Sequence, residues 1–101
     1  MCAVSTLSLK PLPYYSFVHR KNIVGLRVRE ARTKAKFTQA KLAAELQLMG
    51  IRIDRSMVAK IESGIRPVSD IEIIAIAKVL GVSIHWFFED SDKLLKQLGN
   101  Q

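Results

Sequence analysis

The stretch of residues 38–62, TQAKLAAELQLMGIRIDRSMVAKIE, constrains the fold more than any other part of the chain. Its first half has Thr38 as a candidate N-cap, and Leu42 and Leu46 then recur at helical spacing around two adjacent alanines. The small alanines would let a second helix cross closely. Gly50 is placed to end this helix as a left-handed cap residue. The pattern predicts a short helix with one narrow apolar face.

A second helix is predicted directly after it. Asp54 can accept hydrogen bonds from the free amides of the first turn, and Val58 and Ile61 have the spacing of inward-facing residues. The helix ends before Gly64. The residues left on its other faces are Arg55, Ser56, Met57, Ala59 and Lys60. Because several of these side chains can donate hydrogen bonds to base edges in a major groove, the two helices suggest a DNA-reading pair.

Another amphipathic helix is predicted before this pair. Val24, Val28, Ala31 and Ala35 recur at intervals of three and four residues. The remaining positions carry Arg27, Arg29, Arg32, Lys34 and Lys36. This helix would pack on one side and meet solvent or phosphate on the other.

Two further helices are predicted after the pair. Ser69 and Glu72 have the spacing of a capping box, and Gly81 would end the helix that they begin. Its apolar residues are Ile73, Ile76, Ala77 and Leu80. Ser83 would cap the fifth helix. The sequence predicts that Ile84, Phe87 and Phe88 supply much of the core, with Leu94, Leu95 and Leu98 continuing the pattern.

Length and charge favour one domain that faces a polyanion. A chain of 101 residues with 49% apolar content can bury one modest core. Residues 1–36 carry eight Lys and Arg against one Glu, whereas residues 67–101 carry three against five acids. A basic surface backed by a mildly acidic end fits nucleic-acid binding, and a merely solvated basic face is the alternative.

The residue pattern does not indicate a catalytic site, a metal site or a membrane-spanning segment. Cys2 is the only cysteine, His19 and His85 stand alone, and no glycine-rich phosphate loop occurs. We therefore expect no enzyme activity, no cofactor and no metal. There is also no apolar run of the roughly 18 residues that a membrane span needs, and no basic secretory leader. These features predict a cytoplasmic protein.

Residues 1–21 are expected to form an irregular tail. They contain two prolines, several serines and no acid. Arg20 and Lys21 at its end allow two interpretations. They could form an arm that enters a minor groove, or they could belong to a disordered or locally packed tail, which we favour.

Four sequence blocks together resemble the helix-turn-helix domain of the Cro and phage-repressor type, also called the xenobiotic-response-element (XRE) family. They are VGLRVREAR (24–32), TQAKLAAEL (38–46), DRSMVAKIESG (54–64) and IAKVLGVSIHWFF (76–88). The resemblance covers residues 22–90. It implies an all-α, lambda-repressor-like bundle of five helices, a major-groove recognition helix, a symmetric dimer and repression of transcription.

The family's DNA-contacting positions can be carried over by residue. Gln39 matches the glutamine that opens the second helix and touches the DNA backbone or a base edge. The base-reading positions match Arg55, Ser56, Met57 and Lys60. Arg66 falls at a phosphate-contacting position, and Arg27 is a further candidate from the first helix. Alternatively, Gln39 only caps its helix and Lys60 only meets solvent or a carboxylate.

The connection QLMGIRID departs from the family pattern by about five additional residues. Ile51 and Ile53 alternate with Arg52, as in a short extended segment whose apolar side faces inward. We expect this segment to hold the recognition helix in place and to direct Arg52 at a phosphate.

The sequence thus predicts a double-stranded DNA-binding transcriptional regulator, most simply a repressor, that reads the major groove with the helix 55–63. We expect a tail at 1–21, a DNA-binding domain at 22–90 and a helical extension or tail at 91–101. A homodimer is expected through Trp86, Leu94, Leu95 and Leu98, although Trp86 could instead pack against the first helix. The alternative is a protein-interaction module, such as an antitoxin that holds a protein partner and binds DNA secondarily.

Overall fold

The protein is described by a computed structural model that covers residues 20–89. Within these residues the secondary structure is entirely helical, which confirms the all-α prediction. Leu94, Leu95 and Leu98 lie outside the described residues, as do residues 1–19 of the proposed tail and the C-terminal extension. The five helices are α1 (Gly25–Lys34), α2 (Gln39–Leu48), α3 (Arg55–Ser63), α4 (Asp70–Leu80) and α5 (Ile84–Phe87).

Side-chain caps begin four of these helices at the residues that the sequence indicated. The hydroxyl of Thr38 accepts from the Lys41 amide at 2.9 Å, and the carboxylate of Asp54 accepts from the Met57 amide at 2.8 Å. Ser69 forms the predicted capping box, and Ser83 caps α5. Each cap satisfies an amide that has no partner inside its helix, which fixes where the helix begins.

The helix ends are also largely as expected. Gly50, Gly64 and Gly81 all have positive φ and follow α2, α3 and α4. Lys36, shortly after the end of α1, also has a positive φ, of 62°. The sequence did not indicate this. A β-carbon makes this conformation costly, so Lys36 is held there by the bond from the Phe37 amide to the Arg32 carbonyl, at 3.0 Å.

The core lies where α3 and α4 each meet α1 and α2, and α5 packs against α4. Its largest fully buried side chains are Leu42, Leu46, Ile53, Ile61, Ile76 and Phe87.

Two core assignments from the sequence are wrong. Ala35 is exposed because α1 ends at Lys34 and the chain turns away there. Phe88 is 40% exposed, since α5 has a single turn and Phe87 alone occupies its inward position.

A buried ion pair joins the recognition-helix candidate α3 to α1. Arg32 Nε donates to Glu62 Oε2 at 2.6 Å and Arg32 Nη2 donates to Glu62 Oε1 at 3.2 Å. The side chain of Glu62 is only 4% exposed. Gln39 Nε2 from α2 also donates to Glu62 Oε1, at 3.1 Å. This cluster therefore links α1, α2 and α3 through one carboxylate.

We predict that Glu62→Gln lowers the free energy of unfolding by about 3 kcal/mol, because it leaves the Arg32 guanidinium buried without its counter-charge. Urea unfolding monitored by circular dichroism measures this loss.

The matched control is Glu30→Gln. Glu30 pairs with Lys34 at 3.4 Å, and the two side chains are 46% and 73% exposed, so the control should cost no more than about 0.5 kcal/mol. Equal, small losses for the two variants would show that the Arg32–Glu62 pair does not hold the helices together.

A second ion pair joins the end of α3 to the start of α4. Arg66 Nη1 and Nη2 each donate to one oxygen of Glu72 at 3.0 Å. Glu72 Oε1 also accepts from the Ser69 amide at 3.0 Å. The hydrogen bonds from Arg66 are the main reason that the pKa of Glu72 is lowered from its usual range.

A lowered carboxyl pKa stabilises the folded state above the ordinary Glu pKa, and this stabilisation is lost as pH falls through the lowered pKa. We therefore predict that wild type loses more stability than Glu72→Gln between about pH 5 and pH 2. Glutamine keeps the capping geometry at this position and removes only the charge. Thermal melts of both proteins across this range test the prediction, which parallel pH profiles would contradict.

Candidate nucleic-acid interface

Helix α3 presents the predicted polar residues outward. Val58 and Ile61 are each 1% exposed, whereas Arg55, Ser56 and Lys60 are exposed. Among residues 20–89, Arg55 and Lys60 have no ion-pair partner. The exposed face of α3, formed by Arg55, Ser56 and Lys60, therefore offers two cationic donors and a hydroxyl to a ligand outside the domain.

Met57 is different from its neighbours. Its side chain is only partly exposed and packs against the core. Its backbone amide is also the one that Asp54 caps. Met57 therefore anchors the first turn of α3, and only part of its side chain is left for contact with DNA.

Gln39 lies beside α3 and does not cap its own helix. Thr38 is the N-cap of α2, while the Gln39 amide nitrogen donates to Glu62. A carboxylate can only accept, so the nitrogen must face Glu62. The amide oxygen and the second N–H remain for another partner, at a point fixed by the Arg32–Glu62 pair.

The long connection between α2 and α3, residues 49–54, is anchored at two points. Ile53 is 1% exposed, Ile51 packs against the core, and Arg52 is exposed, which confirms the predicted inward apolar side. Gln47 Nε2 donates to the Ile53 carbonyl at 2.9 Å. The Ile53 amide donates to the Ile51 carbonyl at 3.0 Å, so a three-residue turn replaces the expected extended segment and has Arg52 at its centre.

The structure gives the two remaining arginine candidates partners within the protein. The Arg66 guanidinium is held by Glu72, whose hydrogen bond raises the pKa of Arg66. Arg27 lies over the ring of Trp86, with its Cζ 4.6 Å from the ring centroid, and within 4.0 Å of Glu30 and Glu89 carboxylates. Arg27 therefore faces α5, and Trp86 packs against α1.

The residues before α1 also contact the protein. Arg20 Nη2 donates to the Glu62 carbonyl at 2.9 Å, and the Lys21 amide donates to the Gly64 carbonyl at 2.8 Å. This part of the tail is packed locally at the end of α3, which favours the second of the two interpretations of these residues.

The expectation that Arg32 meets solvent or phosphate is wrong, because its side chain is paired with buried Glu62. Glu62 and Asn22, which also hold α3, were not singled out from the sequence. Arg32 and Glu62 each follow a buried valine by four positions, Val28 and Val58, so both charges lie on the apolar side of their helices. A charge at an apolar-face position was the available signal. Asn22 gave no such signal, because its partners are backbone carbonyls 39 and 44 residues away.

The described residues contain no group of three or more His, Cys, Asp or Glu side chains that could hold a metal ion. None of the helices between residues 20 and 89 has the length and apolar character needed to cross a membrane.

Comparison with known proteins agrees with this geometry. The helix-turn-helix family model HTH_3 matches residues 28–87. A similar solved structure is that of the restriction-modification controller protein C.AhdI from Aeromonas hydrophila, with 32% identity and a TM-score of 0.58. The match covers 74% of this chain and 96% of that one. None of the curated proteins compared with the chain matches it. The chain therefore belongs to the XRE-type helix-turn-helix family of DNA-binding transcriptional regulators.

Proposed function

We propose that this protein is a sequence-specific regulator that reads double-stranded DNA by placing α3 in the major groove. The observation that carries the proposal is the exposed face of α3, whose two cations are not paired within residues 20–89. Four other arginines, at positions 20, 27, 32 and 66, are bound to carboxylates or carbonyls of the protein. Arg55 and Lys60 are therefore available to DNA, whereas those four arginines already have partners within the protein.

Each residue of the exposed face has a defined chemical role in this proposal. Arg55 and Lys60 donate to guanine O6 and N7, and Ser56 donates or accepts. The accessible part of Met57 contacts a thymine methyl group. Gln39 adds a contact from the start of α2, while Arg52 contacts a phosphate from the long connection. Arg66 and Arg27 contribute chiefly by holding the domain together.

The regulator would act by occupying DNA at a promoter, in the cytoplasm and as a homodimer. Two half-sites about 34 Å apart would then be expected. The region of α5 and the chain after it is the proposed dimer surface. Because Trp86 packs against α1 and is partly buried, only the exposed part of its side chain is left for that surface. The similarity to C.AhdI supports control of a restriction–modification system as the regulated process. The simplest form of this control is repression, in which the bound protein sterically blocks the promoter.

The proposal predicts that random duplex DNA selected by the wild-type protein is enriched in a two-fold-symmetric site. With Arg55→Ala, one base position per half-site should lose its preference, and affinity for the site should fall by about 1 to 3 kcal/mol. Sequencing of the selected pools and titration of the enriched site measure both effects.

The matched control is Lys78→Ala, which removes the charge of an exposed side chain on α4 and should leave every base preference unchanged. If no sequence is enriched and weak binding disappears at higher salt, the protein-interaction alternative replaces this proposal.

The position of Arg52 generates a separate prediction. A phosphate contact adds to affinity for every sequence, so Arg52→Ala should reduce the slope of log affinity against log salt by about 1 without changing base preferences. Fluorescence anisotropy at several salt concentrations, with specific and scrambled duplexes, measures the slope. An unchanged slope and affinity would remove Arg52 from the interface.

A further inference from the structure

The side chain of Asn22 binds three backbone groups that belong to different parts of the domain. Its Nδ2 donates to the Ile61 carbonyl at 3.0 Å and to the Arg66 carbonyl at 2.7 Å. Its Oδ1 accepts from the Gly25 amide, also at 2.7 Å. One short side chain thus connects the first residue of α1 to the last turn of α3 and to the loop that follows it.

The neighbours of Asn22 strengthen the same connection. The carbonyls of Glu62 and Gly64 accept from the Arg20 guanidinium and the Lys21 amide. Carbonyls at a helix C-terminus have no partner inside the helix, and a cation near them interacts favourably with the helix dipole. Residues 20–22 therefore donate to the carbonyls of Ile61, Glu62 and Gly64 at the C-terminal end of α3.

Two glycines allow this close approach. A β-carbon at Gly25 would overlap the Ile61 carbonyl oxygen, and one at Gly64 would lie 2.6 Å from Arg20 Cζ. Gly64 also has φ 84°, which turns the chain at the end of α3. The backbone of α1 and the end of α3 are consequently in contact, without an intervening side-chain layer.

We propose that Asn22, supported by Arg20, is a positioning residue that sets the orientation of α3 on α1 and so controls sequence readout. The Arg32–Glu62 pair holds the last turn of α3 through a side chain on its inner face, whereas Asn22 holds the same end through the backbone carbonyls of Ile61 and Arg66. Without the hydrogen bonds of Asn22, α3 can rotate about the Arg32–Glu62 pair. Base contacts depend on the helix orientation far more than phosphate contacts made by flexible cations. This inference rests on the proposed function.

The test compares Asn22→Ala with Ile76→Val, a core variant on α4, a helix that packs on α1 and α2; this control should lower the melting temperature by several degrees. Neither substitution changes the charge. Affinities for the selected site and a scrambled duplex are measured at a temperature where melts show every variant to be folded. We expect Asn22→Ala to lower the ratio of specific to non-specific affinity about tenfold, within the range for one lost base contact. The control should keep the wild-type ratio.

Amide hydrogen exchange of the DNA-free protein gives a second, local readout. In Asn22→Ala, exchange should accelerate at Gly25, which loses its acceptor, and at residues 64–66. Amides of α4 should exchange as in wild type. An unchanged affinity ratio, or acceleration spread evenly over all helices, would overturn the positioning role. If wild type itself selects no sequence, the proposed function fails, and exchange at residues 64–66 alone decides whether Asn22 positions the end of α3.

Discussion

The arrangement of this domain depends on one buried carboxylate. Glu62 is the only charged residue within 20–89 whose exposure falls as low as 5%, and it lies on the helix proposed to read DNA. Burying a charge is unfavourable unless it is paired and hydrogen-bonded, and both conditions require Arg32 of α1 and Gln39 of α2 to be in place. Alternative packings that move α3 would leave that charge unpaired. The ion pair thus specifies where α3 lies, while the apolar core supplies most of the stabilisation.

Five cations on or near α3 form two groups with different contacts. Arg20 and Arg32 bind acceptors on the C-terminal half of α3, and Arg66 links the loop after α3 to α4 through Glu72. Arg55 and Lys60 lie on α3 but point away from the core, with no such acceptors. A helix whose inner side is fixed by charged hydrogen bonds can present its outer donors in one geometry, which is the requirement for distinguishing base pairs.

Local signals made much of this domain predictable. Thr38, Asp54 and Ser69 cap their helices because their chemistry acts within three residues, and such signals can be read directly from a sequence. Inward residues of α3 followed from helical spacing. Long-range contacts could not be predicted from such local signals. The pairing of Arg32 with Glu62 and the hydrogen bonds of Asn22 join residues that are far apart in the sequence. Ala35 and Phe88 were misplaced because helical spacing was extended past the points where α1 and α5 end. The partners of Arg66 and Arg27 likewise became apparent only from the fold.

The proposed function requires α3 to read base edges in the major groove. Dimethyl sulfate interference tests it directly, because this reagent methylates guanine N7 in the major groove and adenine N3 in the minor groove. The selected duplex is methylated sparsely, bound, and separated into free and bound fractions. We expect N7-methylated guanines at the positions read by Arg55 and Lys60 to be depleted from the bound fraction, while minor-groove methylation there has little effect. Depletion of N3-methylated adenines alone would contradict this expectation and place recognition in the minor groove.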